Sequence, residues 1–499
     1  MPPHDSVHVH QYVSAIDDLA DDDNLAACNA WTRNVLAEKS LRALEAFVAD
    51  AMHATATYVE NMRGSYNLVL KFRVGKQAGA VDDNTTFSSK QHVVLRLPRH
   101  GYYPPVLVAE MLETEVAWMH YFVAHGIAKV PTIFAWSSTS DNGINSPFML
   151  TEFIDGAILN GCLELWFKST DPQDKTRLHA AYEDLAAMQL AIYRHRFDKI
   201  GGLCESDDGR WEIARRPVTH TMRDILLNVP GTTTDAWPRG PLSTAAEYKA
   251  LFLQLYRTQQ DTLRSINTPG HWTRDGSDLL WEPNEGEDID MDLARAKAAG
   301  RIVARHGFAH PDCLAHLNDR DTGPFRIFNV DIHPRNMIVN PDTGRIVAIF
   351  DLEGTNALPA AFAEDPPLFL RPFMLFHIIA LGKLKDWEKT YAPLLDTYLD
   401  TMQRLEARQP PTDAAEDNGR TPLSASMRAS WESKRWLEHF AMSNLNLSDY
   451  VFWSHLYSKM KPILDAKQDD LDQEIKAYQL HTERQIAAYE KDRIARKSR

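Results

Sequence analysis

The stretch from Phe325 to Gly354 constrains this 499-residue chain more than any other. Two short apolar runs, Asn336 to Val339 and Arg345 to Phe350, flank Asn340-Pro341-Asp342-Thr343-Gly344, and that turn signal predicts a β-hairpin. A carboxylate stands outside each run, Asp331 before the first and Asp351 after the second. Folding the hairpin carries Asp331, Asn336 and Asp351 to one edge. Three oxygen-bearing side chains there suit a job in which one group orients a hydroxyl and two hold Mg²⁺ against a nucleotide's phosphates. Taken singly, each of the three is an ordinary turn cap. Their order, with the turn between them, favours phosphoryl transfer.

Asp331 and Asn336 lie five positions apart, the spacing of Asp and Asn in the catalytic loop of protein kinases, and Asp351 stands where the metal-binding Asp would follow. The run Asp331-Ile332-His333-Pro334-Arg335-Asn336, followed by Ile349-Phe350-Asp351-Leu352-Glu353, resembles the aminoglycoside phosphotransferase and choline kinase-like superfamily, most closely its large fungal branch. The likeness runs from about Tyr58 to Tyr450. It implies an α+β, two-lobed protein-kinase-like fold, with a small β-sheet lobe and a larger, mainly helical one. By the same resemblance Asp331 is the catalytic base, Asn336 and Asp351 are the metal ligands, ATP and Mg²⁺ are the cofactors, and a small-molecule hydroxyl accepts the phosphoryl group.

Asn329 occupies the place where these enzymes often carry His, two residues before the catalytic Asp, and asparagine keeps the capacity to hydrogen-bond backbone. The alternative is a pseudokinase that binds nucleotide or a partner without turnover, and Asn329 and a sparse glycine loop point that way. No Ala-Pro-Glu segment follows Asp351, which argues against a protein substrate.

Upstream, residues 1 to about 24 are polar and expected to be loosely held, and Trp31 to Met52 carries apolar residues at helical spacing. The segment Gly64-Ser65-Tyr66-Asn67 opens a strand-like run and resembles the Gly-x-aromatic-Asn pattern of the fungal branch, which implies backbone cover for phosphates. A polar insertion from Gly75 to Lys90 precedes the strand His92 to Leu97, with Val93, Leu95 and Leu97 on one face and Arg96 on the other. Arg96 stands where kinases carry the phosphate-gripping lysine. A helix expected from Leu107 to Gly126 offers it a carboxylate. Glu115 fits the family pattern best, with Glu110 and Glu113 as competing choices. Strands expected at Ile127 to Phe134 and Phe148 to Leu150 lead to Glu152, Phe153 and Ile154, the adenine-holding hinge by resemblance.

In the second lobe, helices are expected at Leu178 to Tyr193, Ala245 to Leu263, Leu293 to Arg305, Leu368 to Leu381 and Trp387 to Arg408, and in a long run from Ser424. Gly201-Gly202 reads as a tight turn. His306, His310 and His316 lack the paired spacing of a zinc site, and His333 reads as an orienting residue for Asp331. The expected organisation is an extension at 1–57, a small lobe at 58–155, a large lobe at 156–464 and a solvated, charged helix at 465–499.

A formal charge of -14 disfavours nucleic acid or anionic lipid as partners, since both need a basic surface. No apolar run reaches membrane-span length. Cys28, Cys162, Cys204 and Cys313 lack CxxC spacing and fit reduced thiols, and the acidic N-terminal residues are unlike a transit peptide, so a cytoplasmic setting is expected. The oligomeric state is not legible. Acidic residues would suit an amine or amino-alcohol acceptor, but the sequence does not show which of them line the cleft.

Overall fold

The computed structural model describes residues 17–64, 66–75, 91–206, 208–264, 270–275, 278–283, 290–371, 375–380, 382–408 and 421–497. The N-terminal helical segment is two helices, not one. The Asp17 carboxylate caps α1 (Asp18–Val35) by accepting from the Ala20 N–H at 3.3 Å, and the chain turns at Leu36 and Ala37 before α2 (Glu38–Ala51). Helix therefore already begins at Asp18, inside the segment expected to be loose.

Strands β1 (Thr55–Arg63), β2 (Asn67–Gly75) and β3 (Gln91–Pro98), the helix α3 (Pro105–Ala124), and strands β4 (Ile133–Ser137) and β5 (Phe148–Glu152) build the small lobe. The sheet is antiparallel, in the order β1-β2-β3-β5-β4. Val93, Leu95 and Leu97 pack with Leu44 and Val48 of α2 in one core, so Arg96 points to the opposite face. β1 went unanticipated because it is an edge strand, with Val59 left 45% exposed and so no apolar face to recognise. The strand expected from Ile127 starts only at Ile133.

The large lobe begins with β6 (Ala157–Ile158), α4 (Leu159–Lys168) and α5 (Pro172–Arg194). The ribbon of β7 (Gly202–Glu205) and β8 (Trp211–Arg215) leads to α6 (His220–Asn228) and α7 (Ala245–Thr262), the latter opened by a capping box between Thr244 and Glu247. Gly201 and Gly202 make no tight turn. Gly201 exchanges backbone hydrogen bonds with Ala357 (3.0 and 2.9 Å), and a Cβ on Gly201 would lie 2.0 Å from the Arg215 carbonyl oxygen, an approach that only glycine permits. A second ribbon, β9 (Gly270–Asp275) with β10 (Asp278–Pro283), precedes α8 (Met291–Ala309).

Short strands β11 (Arg326–Phe328), β12 (Met337–Val339), β13 (Ile346–Ile349) and β14 (Asn356–Leu358) carry the central stretch. The described residues beyond β14 are mainly helical: α9 (Ala360–Ala363), α10 (Leu375–Ala380), α11 (Leu384–Arg408), α12 (Leu423–Ser433), α13 (Arg435–Ser443), α14 (Ser448–Val451), α15 (Tyr457–Asp465) and α16 (Gln468–Lys497). Of the helix expected from Leu368 to Leu381, Leu375–Ala380 is helical and residues 368–371 are not, while 372–374 and 381 lie outside the described residues. α16 is not a solvated extension. Its Leu471, Tyr478 and Tyr489 are buried, the Tyr478 hydroxyl donates to the Gln260 carbonyl at 2.6 Å, and Arg295 and Arg264 reach Glu483 and Asp492 at 2.8 and 2.5 Å.

This is a two-lobed, kinase-like α+β fold: a small antiparallel sheet backed by helices, joined to a mainly helical body. No described helix is long and apolar enough to cross a membrane.

Candidate functional site

β12 and β13 pair as a hairpin, Met337 opposite Ile349, and the Phe350 N–H closes it on the Asn336 carbonyl at 3.0 Å. Local hydrogen bonds then fix Asp331. Asn336 Nδ2 donates to the Asp331 carbonyl oxygen at 2.9 Å and to Asp331 Oδ2 at 3.1 Å. His333 Nδ1 accepts the Arg335 N–H at 3.1 Å, which places the ring proton on Nε2, 3.0 Å from Asp331 Oδ1. Burial pushes the Asp331 carboxyl up, but the bond from His333, the nearby His220 and the bond from Asn336 outweigh it and hold Asp331 well below the usual carboxylate range.

Asn329 stands behind this loop. Its Oδ1 accepts the Asp331 N–H at 2.7 Å, while its Nδ2 donates to the Glu353 carbonyl at 3.0 Å and to Thr355 Oγ1 at 2.8 Å. The asparagine therefore ties the Asp331 loop to the segment after Asp351.

Asp351 sits in the left-handed region, φ 62°, at the end of the hairpin. Arg96 Nη1 lies 3.7 Å from its Oδ1. The same guanidinium makes a two-pronged pair with Glu115, Nη1 donating to Oε1 at 2.8 Å and Nη2 to Oε2. The competing carboxylates on α3 are engaged elsewhere: Glu113 pairs with Arg215 at 2.7 Å and Glu110 with Arg216 at 2.8 Å. Burial, with Glu115 and Asp331 nearby, pushes the Asp351 carboxyl up to about 6 although Arg96 pulls the other way. A half-buried position where negative charge crowds in this way gains from a divalent cation.

Not every anticipated residue faces that point. The Gly64 N–H closes a turn on the Asn67 carbonyl at 3.0 Å, and a Cβ on Gly64 would meet that oxygen at 3.1 Å. Asn67 is buried, its Nδ2 3.5 Å from the Tyr103 hydroxyl, and Tyr66 presents its ring to Arg223. Ser65 lies outside the described residues. At the hinge, the Glu152 and Phe153 N–H groups already donate within the sheet, to Thr132 at 2.9 Å and His92 at 3.2 Å. Those two N–H groups, expected to face adenine, are therefore already paired, and the Ile154 side chain is buried.

A second group of residues escaped the sequence reading. Glu353 is buried and receives Arg223 Nη1 on Oε1 at 2.5 Å and the Tyr103 hydroxyl on Oε2. Burial pushes its carboxyl up, and these two donors supply the compensation that a buried carboxylate needs. Arg223 also stacks its guanidinium 3.4 Å from the Tyr66 ring centroid. The only sequence signal was the position of Glu353, two residues beyond Asp351. Of the candidate histidines, His306 bonds Glu474 at 2.5 Å and His316 faces His439 at 2.7 Å.

Beside Asp331 opens a cavity of about 400 Å³, bounded by Tyr66 and Arg223 at one end and by α5, Phe362 and Trp436 along its length. Asn336 has committed its Nδ2 to Asp331, which leaves its Oδ1, with the Asp351 carboxylate, as the oxygen pair suited to Mg²⁺. The donor set fits the ion.

The arginine–glutamate pair under the sheet and the acid-bearing hairpin define a phosphotransferase scaffold of the kinase fold. A family model described as the phosphotransferase enzyme family matches residues 78–365, more than half of the chain, and the chain belongs to that family. It is similar to proteins named altered inheritance of mitochondria protein 9, mitochondrial. That of Candida albicans SC5314 is 32% identical over 237 residues, covering 47% of this chain and 34% of the relative. That of Meyerozyma guilliermondii is 22% identical over 312 residues, covering 58% and 48%. The matched part thus spans about a third to a half of these relatives. A solved structure described as a candidate aminoglycoside phosphotransferase of Ralstonia eutropha JMP134 is similar at 12% identity and TM-score 0.35, over 89% of this chain and 98% of that one.

The relatives' names correct the cytoplasmic expectation, because they are named as mitochondrial proteins. That expectation rested on thiols and on N-terminal composition. Free thiols report a compartment's redox poise and not which membrane encloses it.

Proposed function

We propose that the protein transfers the γ-phosphoryl group of ATP to a hydroxyl of a small molecule. The observation that carries this reading is the convergence of Asp331, Asn336 and Asp351 with the Arg96–Glu115 pair beside a cavity of about 400 Å³. Mg²⁺ held by Asn336 and Asp351 would neutralise charge on the phosphate oxygens.

The acceptor hydroxyl enters from the cavity and places its proton on Asp331. Its oxygen forms the new bond to the γ-phosphorus as the bond from that phosphorus to the β–γ bridging oxygen breaks, and ADP departs with the bridging oxygen. A carboxylate held below the usual range is a weak base, so Asp331 acts chiefly by orienting the hydroxyl and takes the proton late. Arg96, fixed by Glu115, presents its charge toward the phosphates. Asn329 makes the backbone bonds that hold the loop, which removes one ground for reading the site as inactive.

The names of the relatives make mitochondria the compartment in which to seek the acceptor. The test is ATP labelled in its γ-phosphate, incubated with the protein, Mg²⁺ and fractionated mitochondrial small molecules. Label transferred to a hydroxylated compound supports the reading, and label recovered only as ATP contradicts it.

A further inference from the structure

The cavity beside Asp331 carries information about the acceptor, and the inference drawn from it rests on the phosphotransferase reading above. Among the described residues its wall holds three carboxylates, Asp224, Asp331 and Asp365, and three guanidinium groups, Arg223, Arg335 and Arg371. The negative surplus of the whole chain is therefore absent here.

The carboxylates are also committed. Asp365 accepts the Ser430 hydroxyl on Oδ1 at 2.6 Å and faces His439 Nδ1 with Oδ2 at 2.8 Å. Asp224 receives Arg223 Nε at 3.2 Å, and Asp331 is held by His333 and Asn336. An ammonium group entering this space would give up its water without finding an unshared carboxylate.

What the wall does offer is apolar surface. Leu185, Met188 and Ile192 on α5 face the space together with Phe362, Phe369 and Trp436. The volume of about 400 Å³ matches a compact organic ligand. Ring faces of this kind favour another ring, by stacking and by removal of apolar area from water.

We infer that the acceptor is an uncharged alcohol with an apolar, ring-bearing body, its hydroxyl at Asp331, and not a polycationic sugar or a quaternary amino alcohol.

The test uses 2-naphthylmethanol, kanamycin and choline as probes against the full chain, read by titration calorimetry and by Mg²⁺-dependent ADP release. 2-Naphthylmethanol is expected to bind saturably, about tenfold or more tighter than either cation, and Phe369→Asp is expected to weaken it about tenfold by placing a charge in the apolar wall. Leu368→Asn, at the neighbouring half-buried position, is expected to weaken it in the same direction and serves if the first variant does not fold. Kanamycin or choline binding as tightly as the naphthyl alcohol, or naphthyl binding indifferent to both substitutions, overturns the inference. Binding as expected with no ADP release from any probe supports the cavity assignment and counts against phosphoryl transfer alone.

Discussion

Arg223 and Glu353, separated by 130 positions, meet at 2.5 Å with both side chains buried, 1% and 4% exposed. Through Tyr66, stacked on the guanidinium, and Tyr103, bonded to the carboxylate, the pair ties the β1–β2 turn and the start of α3 to the segment that follows Asp351. It is a strap between the two lobes at the point where nucleotide and acceptor would meet.

Removing one partner of such a pair leaves an uncompensated buried charge, at a cost of about 3–5 kcal/mol. Arg223→Ala is therefore expected to lower stability by that order in urea unfolding. The double replacement Arg223→Met with Glu353→Leu is expected to lose much less, because no charge remains buried. Equal losses in the two proteins would show that the pair's packing, and not its charge, supplies the stability.

Asn329 bonds three groups on two segments. Asn329→Ala leaves a buried carbonyl and an N–H without partners, which costs about 1–3 kcal/mol. The melting temperature is expected to fall and ATP turnover to fall with it, since Asp331 loses its backbone anchor. A variant as stable and active as the wild type would remove Asn329 from the account.

Acid is expected to destabilise the fold through histidines that burial keeps neutral, His195, His220 and His316 among them. Burial, with His125 and Arg326 nearby, lowers His195 to about 4, and burial with His439 nearby lowers His316 to about 4. Between pH 4 and 6.5 the unfolded chain binds more protons at these sites than the folded one, so stability is fully present above the ordinary histidine range and is lost as pH falls through that window. Melting temperatures from pH 7 to pH 4.5 check this. His316→Gln is expected to flatten the dependence, and an unchanged slope would exclude His316 as a contributor.

The edge carrying Asp331, Asn336 and Asp351 was legible in the sequence because it is local: one hairpin separates the three, and a turn signal marks it. Strand alternation put Arg96 on the face away from the apolar residues, whereas Glu115 was preferred over Glu110 and Glu113 only by resemblance to the family pattern, and the ion pairs on α3 separate the three. Arg223, Tyr103 and α16 were not. Arg223 sits on a nine-residue helix whose pattern says nothing of a partner 130 positions away, and Tyr103 reaches Glu353 across 250 positions. The strong charge of α16 suggested solvation, yet its tyrosines and arginine-paired carboxylates dock it against α8, a choice made by tertiary packing. The charge balance around the cavity was hidden for the same reason, since its carboxylates come from three distant segments.

Asp351 is expected to be the more sensitive of the two proposed Mg²⁺ ligands, because it brings charge where Asn336 brings a dipole. Asp351→Asn should raise the Mg²⁺ concentration needed for half-maximal turnover more than Asn336→Ala does. Magnesium titrations of the two variants compare them directly, and the reverse order would reassign the metal position.

The most direct test of the central claim is Mg²⁺-dependent ADP release, with a hydroxylated acceptor present, by the wild-type protein and by Asp331→Ala at matched stability. Turnover by the wild type and a loss of about 10²–10⁴-fold in the variant is the predicted result. Equal rates from the two proteins would contradict it.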